Sequence, residues 1–174
     1  MKAVSLLSVM LMLSYVPGVC AYYASGRRLM CYALSTPVTV DGKWTTPEEW
    51  IDAAEASVEG AYFRVKHDND YAYFLIEHVA DVKVDAGIEA LRDAGFVCID
   101  TKNDGGSKPM TDDNYFSILW TNEVPPRQRF YVAYGTDSDW SPGAETTSAF
   151  SGASSSDQSK NPRSTSTHVT YELQ

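Results

Sequence analysis

Apolar and polar positions alternate with a period of two in short stretches of this chain, and few stretches carry the wider spacing of a helix. "TPVTVDGKW", residues 36–44, alternates and then turns at Asp41-Gly42, which predicts a strand and a turn. "TPEEW" follows with helix-start grammar: Thr46 as cap, Pro47 in the first turn, Glu49 closing a capping box. Trp50, Ala53 and Ala54 would then share one face of a short helix. "AYFRVKH" and "YAYFLIEHVA" are β-branched and aromatic, and "DND" at 68–70 is turn chemistry, so the pair reads as a hairpin. Its first arm alternates Phe63 and Val65 with Arg64 and Lys66, which predicts one wet face. The second arm is apolar almost throughout and suits burial on both sides.

Beyond the hairpin, 81–95 reads as a loop with one helical turn carrying Ile88 and Leu91. "FVCID", "NYFSILW", "RFYVAYG" and "THVTYEL" supply four more strands. Ser and Thr dominate 146–168, which reads as a loop with room for an edge strand. Many short strands with little helix predict an all-β, antiparallel β-sandwich with one or two short helices. The chain reaches Gln174 while "VTYEL" still reads as a strand, so the sandwich is expected to lack closing strands and to leave an edge for a neighbouring chain.

The first residues read as an address. Lys2, the apolar run "AVSLLSVMLMLSYV" and the small residues Val19 and Ala21 predict an export signal over 1–21, too short for a membrane span. A lipid anchor on Cys20 is the rival reading. An extension would follow over 22–35, and one domain over 36–174. Export leaves Cys31 and Cys98, either as one bridge or with Cys98 as a buried apolar residue. The net charge of −9 argues against nucleic acid and anionic membranes as partners.

"IDTKNDGGSKPMTDDNYF", 99–116, gathers carboxylates between two strands. Against an EF-hand loop, Asp100, Asp104 and Gly105 fit, but Lys102 and Thr111 occupy ligand positions three and twelve. What remains is a looser set of oxygen donors: Asp100, Asn103, Asp104, Asp112 and Asp113. Such a set suits calcium better than magnesium, and the alternative is a solvated turn. His67 and His78 lie at opposite ends of a strand, about 23 Å apart at standard rise, and cannot share an ion. No nucleophile elbow, phosphate loop or dinucleotide fingerprint occurs, so the chain does not read as an enzyme. Aromatics are in surplus, with four Trp and eleven Tyr. Trp140, in "DSDWSPG", and Trp44, beside a turn, are candidates for stacking on the apolar face of a sugar, with Tyr134 nearby. Trp50 reads as core.

The succession "VTVDGKWTTPEEWIDA", "FRVKHDNDYAYFLIEHVAD", "VCIDTKNDGGSKPMTDDNYF" is similar to family 9 carbohydrate-binding modules and the wider DOMON-like sandwiches. The resemblance covers about residues 36 to 120. It implies a jelly-roll-like sandwich, secreted or at the cell surface, non-catalytic and often attached to other modules. Calcium would be held for structure and an oligo- or polysaccharide gripped between aromatics. It does not assign the clamp residue by residue. A different expectation is a structural or adhesive surface protein that keeps the sandwich without a sugar site. Haem, held by some DOMON relatives, would need axial ligands from Met30, Met110 or the histidines, and no covalent attachment motif is present.

Overall fold

The computed structural model describes residues 10–12, 20–23, 30–85, 93–105, 108–121 and 127–174. Twelve strands follow in chain order: β1 (Met10–Met12), β2 (Cys20–Tyr23), β3 (Met30–Ala33), β4 (Ala54–Val58), β5 (Ala61–His67) and β6 (Ala72–His78), then β7 (Ala94–Asp100), β8 (Asp113–Trp120), β9 (Gln128–Tyr134), β10 (Ala144–Glu145), β11 (Gly152–Ser155) and β12 (Val169–Leu173). They form a β-sandwich. Sheet one runs β11-β12-β6-β5-β4 and sheet two runs β10-β9-β8-β7, each antiparallel. β1, β2 and β3 join the β7 edge of sheet two to β5, with β1 parallel to β7 and β3 parallel to β5. These three strands include parts of the expected export signal and the extension after it.

Alternation sets the core. Phe63, Val65, Phe74, Val97, Ile118, Val169, Tyr171 and Leu173 are buried between the sheets, and Phe116, Trp120, Phe130 and Phe150 pack against them. A Cβ on Gly95 would strike the Tyr171 ring at 2.4 Å, so the two sheets lie close together there.

The hairpin turning on 68–70 forms as expected, with Phe63 opposite Ile76 and His67 opposite Ala72. "FVCID", "NYFSILW", "RFYVAYG" and "VTYEL" are strands, and the edge strand in the Ser/Thr-rich region is β11.

Four expectations change. "TPVTVDGKW" is not a strand; it crosses the outer face of sheet one, where Val38 and Val40 pack with Trp44, Trp50, Tyr73 and Leu75. "TPEEW" is a run of turns closed by Glu49 N to Thr46 O at 3.1 Å and Ala53 N to Trp50 O at 3.2 Å, and no helix occurs among the described residues. The capping box is diverted, because the Glu49 carboxylate accepts from Thr39 N and Thr45 N, and Ala54 enters β4 instead. The face with Arg64 and Lys66 is not wet: they are 2% and 0% exposed under that covering segment. Finally, β12 is paired on both sides, by β6 and β11, so it leaves no open edge. The helical turn expected at Ile88 and Leu91 lies outside the described residues.

Candidate functional site

The β7–β8 register places Asp100 opposite Asp113 and Cys98 opposite Tyr115 on the outer face of sheet two. The loop between these strands folds back over its own ends. Asp100 accepts from Asn103 N at 2.6 Å and Gly105 N at 2.9 Å, while Asp113 Oδ2 accepts from Met110 N at 2.7 Å. A Cβ on Gly135 would sit 1.9 Å from Met110 O, so only glycine lets the loop lie this close to β9's end.

Three carboxylates converge under this loop. One oxygen each from Asp100, Asp112 and Asp113 lies within 4.8 Å of the others. Asp100 and Asp113 are 1% and 4% exposed. Asp113 Oδ1 is buried and has no hydrogen-bond partner. Burial pushes the Asp113 carboxyl above the usual carboxylate range, and the charges of Asp100, Asp112 and Asp104 push the same way against the Met110 amide. A positive charge, Lys102 Nζ, lies 3.3 Å from Asp112 Oδ1 on a largely exposed side chain. Hard, clustered oxygens with one left unsatisfied could hold a metal ion. Of the five residues expected there, Asp100, Asp112 and Asp113 are brought together. Asp104 is exposed and outside the group, and Asn103 is exposed with its backbone amide turned to Asp100.

An aromatic row runs beside the carboxylates. The Tyr115 ring stacks on Phe96 at 5.3 Å between centroids and meets Trp140 at 5.7 Å. Gly135 joins the two features: its amide donates to Asp113 O at 3.0 Å, and it pairs with Trp140 across the ladder. Trp140 is half-buried rather than free-standing. Tyr134 is 51% exposed, but strand alternation sends it to the opposite face from Gly135 and Trp140, so the two rings make no clamp. Trp44 is 1% exposed with the Arg64 guanidinium 4.6 Å from its ring centre, and presents no face to a ligand. Tyr115 and Phe96 escaped the sequence reading because they sit inside strands. Their places opposite Ala133 and Ser117 would have put Tyr115 on the acidic loop's side.

Cys31 and Cys98 are not bridged to each other. Cys31 is in the inter-sheet core, whereas Cys98 is on the outer face, where burial first and Asp113 second push its thiol up to about 12.

The outer face of sheet one carries a second polar group of another kind. Glu77, 0% exposed, accepts from Arg64 at 2.7 Å, Ser159 Oγ at 2.8 Å, Asn161 Nδ2 at 2.8 Å and His168 Nε2 at 3.0 Å. Arg64 also pairs with Glu55, which binds Arg163. His168 Nδ1 faces Ser166 O at 2.7 Å, so both ring nitrogens meet acceptors. Burial alone would lower this imidazole, but Glu77 and Ser166 hold it above its ordinary value. Glu172 accepts from Asp41 N, Gly42 N and Trp50 Nε1, and burial pushes its carboxyl up to about 8. Lys66 donates to Thr36 O, Glu49 O and Asp52. Burial would raise Asp52, but Lys66 and Ser35 bring it down to about 2.

No protein-family model, curated protein or solved structure matches the chain. Among the described residues, no helix is long and apolar enough to cross a membrane.

Proposed function

We propose that the protein is a secreted, non-catalytic carbohydrate-binding module that carries a structural calcium ion. The ion sits among Asp100, Asp112 and Asp113, and the saccharide lies along Trp140 and Tyr115. One observation supports this reading above the others. Asp113 Oδ1 is buried without a partner in a group of three carboxylates, at the foot of an aromatic row that shares its face. A cation there would relieve the charge repulsion and fasten the loop carrying Met110 onto Gly135. The same cation would fix the ladder that positions Trp140, so sugar binding would depend on it. Indole and phenol rings match the C–H faces of pyranoses, and the loop carboxylates offer acceptors for hydroxyls.

The test is a glycan-panel titration of the folded chain in calcium, read by tryptophan fluorescence. A saturable shift with one sugar class, lost in Trp140→Ala and weakened by chelator, is the expected result. A flat panel from folded protein ends the sugar reading and leaves a structural or adhesive sandwich, whose cation site is then tested alone.

A further inference from the structure

The two sheets part at the end of the sandwich where the turn at 68–70 lies. They leave a crevice of about 490 Å³. Sheet one contributes Ala72, Phe74 and Leu173 to its walls, and sheet two contributes Val97, Ile99 and Phe116. Phe150 closes one side, edge-on to Phe116 at 5.5 Å and to Phe130 at 5.7 Å. The segment carrying it is held in place: Ser148 N and Ala149 N donate to Thr146 Oγ1, and Ser151 and Gln174 exchange both backbone hydrogen bonds.

The crevice is walled by apolar side chains, which give water no hydrogen-bonding group there. Its volume falls in the range of about 300–1,000 Å³ typical of small-molecule sites, which are lined in the same way by apolar walls with a few polar groups at the mouth. Here the mouth holds Thr147, Ser148, Ser151 and Gln174, all neutral, and Asp70. Among the described residues, no lysine, arginine or histidine lines the crevice. An anionic head group would meet Asp70 and no counter-charge, whereas a hydroxyl or amide head would meet donors and acceptors. Ile99 points into the crevice and Asp100, the next residue, turns to the opposite face, so this space and the carboxylate group are separate sites at one end of the molecule.

We propose that the inter-sheet crevice is a binding site for a small, uncharged apolar molecule with a neutral polar head. The inference is independent of sugar binding on the outer face.

The test uses N-phenyl-1-naphthylamine, an uncharged fluorescent hydrophobe, titrated into the full chain. Enhancement should saturate at one equivalent. A medium-chain fatty alcohol should displace the probe at least about tenfold better than the acid of equal length at neutral pH. Ala72→Phe fills the crevice from β6 and should weaken probe binding about tenfold or more. Thr147→Trp, on the exposed loop at the mouth, does the same without touching the core and stands in if Ala72→Phe does not fold. Trp140→Ala should leave probe binding unchanged, which separates this site from the outer face. No saturable binding to folded protein would overturn the proposal. So would binding that Thr147→Trp leaves intact, or equal displacement by alcohol and acid.

Discussion

The outer faces of the two sheets are both rich in buried charge, but they treat it in opposite ways. Under the segments covering sheet one, Glu77 meets four donors, Lys66 three acceptors and His168 an acceptor at each nitrogen. Opposite charges alternate there and pair with one another, although Trp44 Nε1 and Thr170 Oγ1 on the same face are buried without a partner. On sheet two, three carboxylates of like charge crowd together, one of their oxygens has no partner, and the lysine that pairs with Asp112 is largely solvent-exposed. A satisfied network holds a fold together; an unsatisfied one of a single sign has room for a ligand. The difference lies in pairing rather than in burial, since Asp113 and Glu77 are both nearly inaccessible.

Glu77→Ala should break the comparison hardest. It takes the carboxylate partner from His168 and one of two from Arg64, and losing one partner of a buried ionic group costs about 3–5 kcal/mol. Urea unfolding should show the same loss in calcium and in chelator. A loss that depended on calcium would mean that the two faces are not separate. Asp113→Asn should behave in the reverse manner. Calcium at 100 times its Kd would stabilise the wild type by about 2.7 kcal/mol, and the variant should lose that increment. In chelator the variant should be no less stable than wild type, because one of three like charges is gone. Calorimetry with and without calcium reads both arms.

A pH series sharpens the other side. A raised pKa for His168 means that the folded chain holds this proton longer than the unfolded one. Its contribution is therefore full below the ordinary imidazole pKa and fades as pH rises through the raised value. Glu172 carries the same sign, its contribution full below the ordinary carboxylate range and lost as pH rises through about 8. In chelator, the unfolding free energy should fall between about pH 5 and about pH 8, by at most about 1.4 kcal/mol per pH unit for each proton. His168→Gln should flatten part of that slope; an unchanged slope would remove His168 from the explanation. The smallest effect belongs to Trp140→Ala. Losing its contact with Tyr115 should cost about 0.5–1.5 kcal/mol and leave the calcium increment in place, as thermal unfolding would show.

Much of the fold was legible because alternation speaks for itself. The hairpin 61–78 and the strands at 94–100, 113–120 and 128–134 follow from residues whose two faces differ. Misreadings arose where a side chain was diverted by a distant one. Glu49 looks like a capping residue, and its partners turn out to be Thr39 and Thr45. Arg64 and Lys66 look like a solvent face, but Glu77 and Asp52 draw them inside. Within the site, the crowding of Asp100, Asp112 and Asp113 could be expected from their density along one loop. Which carboxylates converge depended on the Asp100–Asp113 register and on the loop's return over Gly135. Trp44 follows a turn, which predicts an exposed platform, but that turn lies against β11. A Cβ on Gly42, at φ 86°, would come within 2.6 Å of Ser154's backbone.

Lys66 gives the molecule a built-in reporter. Its amine is inaccessible and holds three oxygens, all from the segment 36–52, whereas Lys83 and Lys102 stand mostly in solvent. Acetylation by an amine-reactive ester would mark the exposed lysines at once and Lys66 only in molecules whose covering segment has lifted. The ratio of the two signals, followed by mass spectrometry, is thus a chemical clock for local opening on that side of the sandwich.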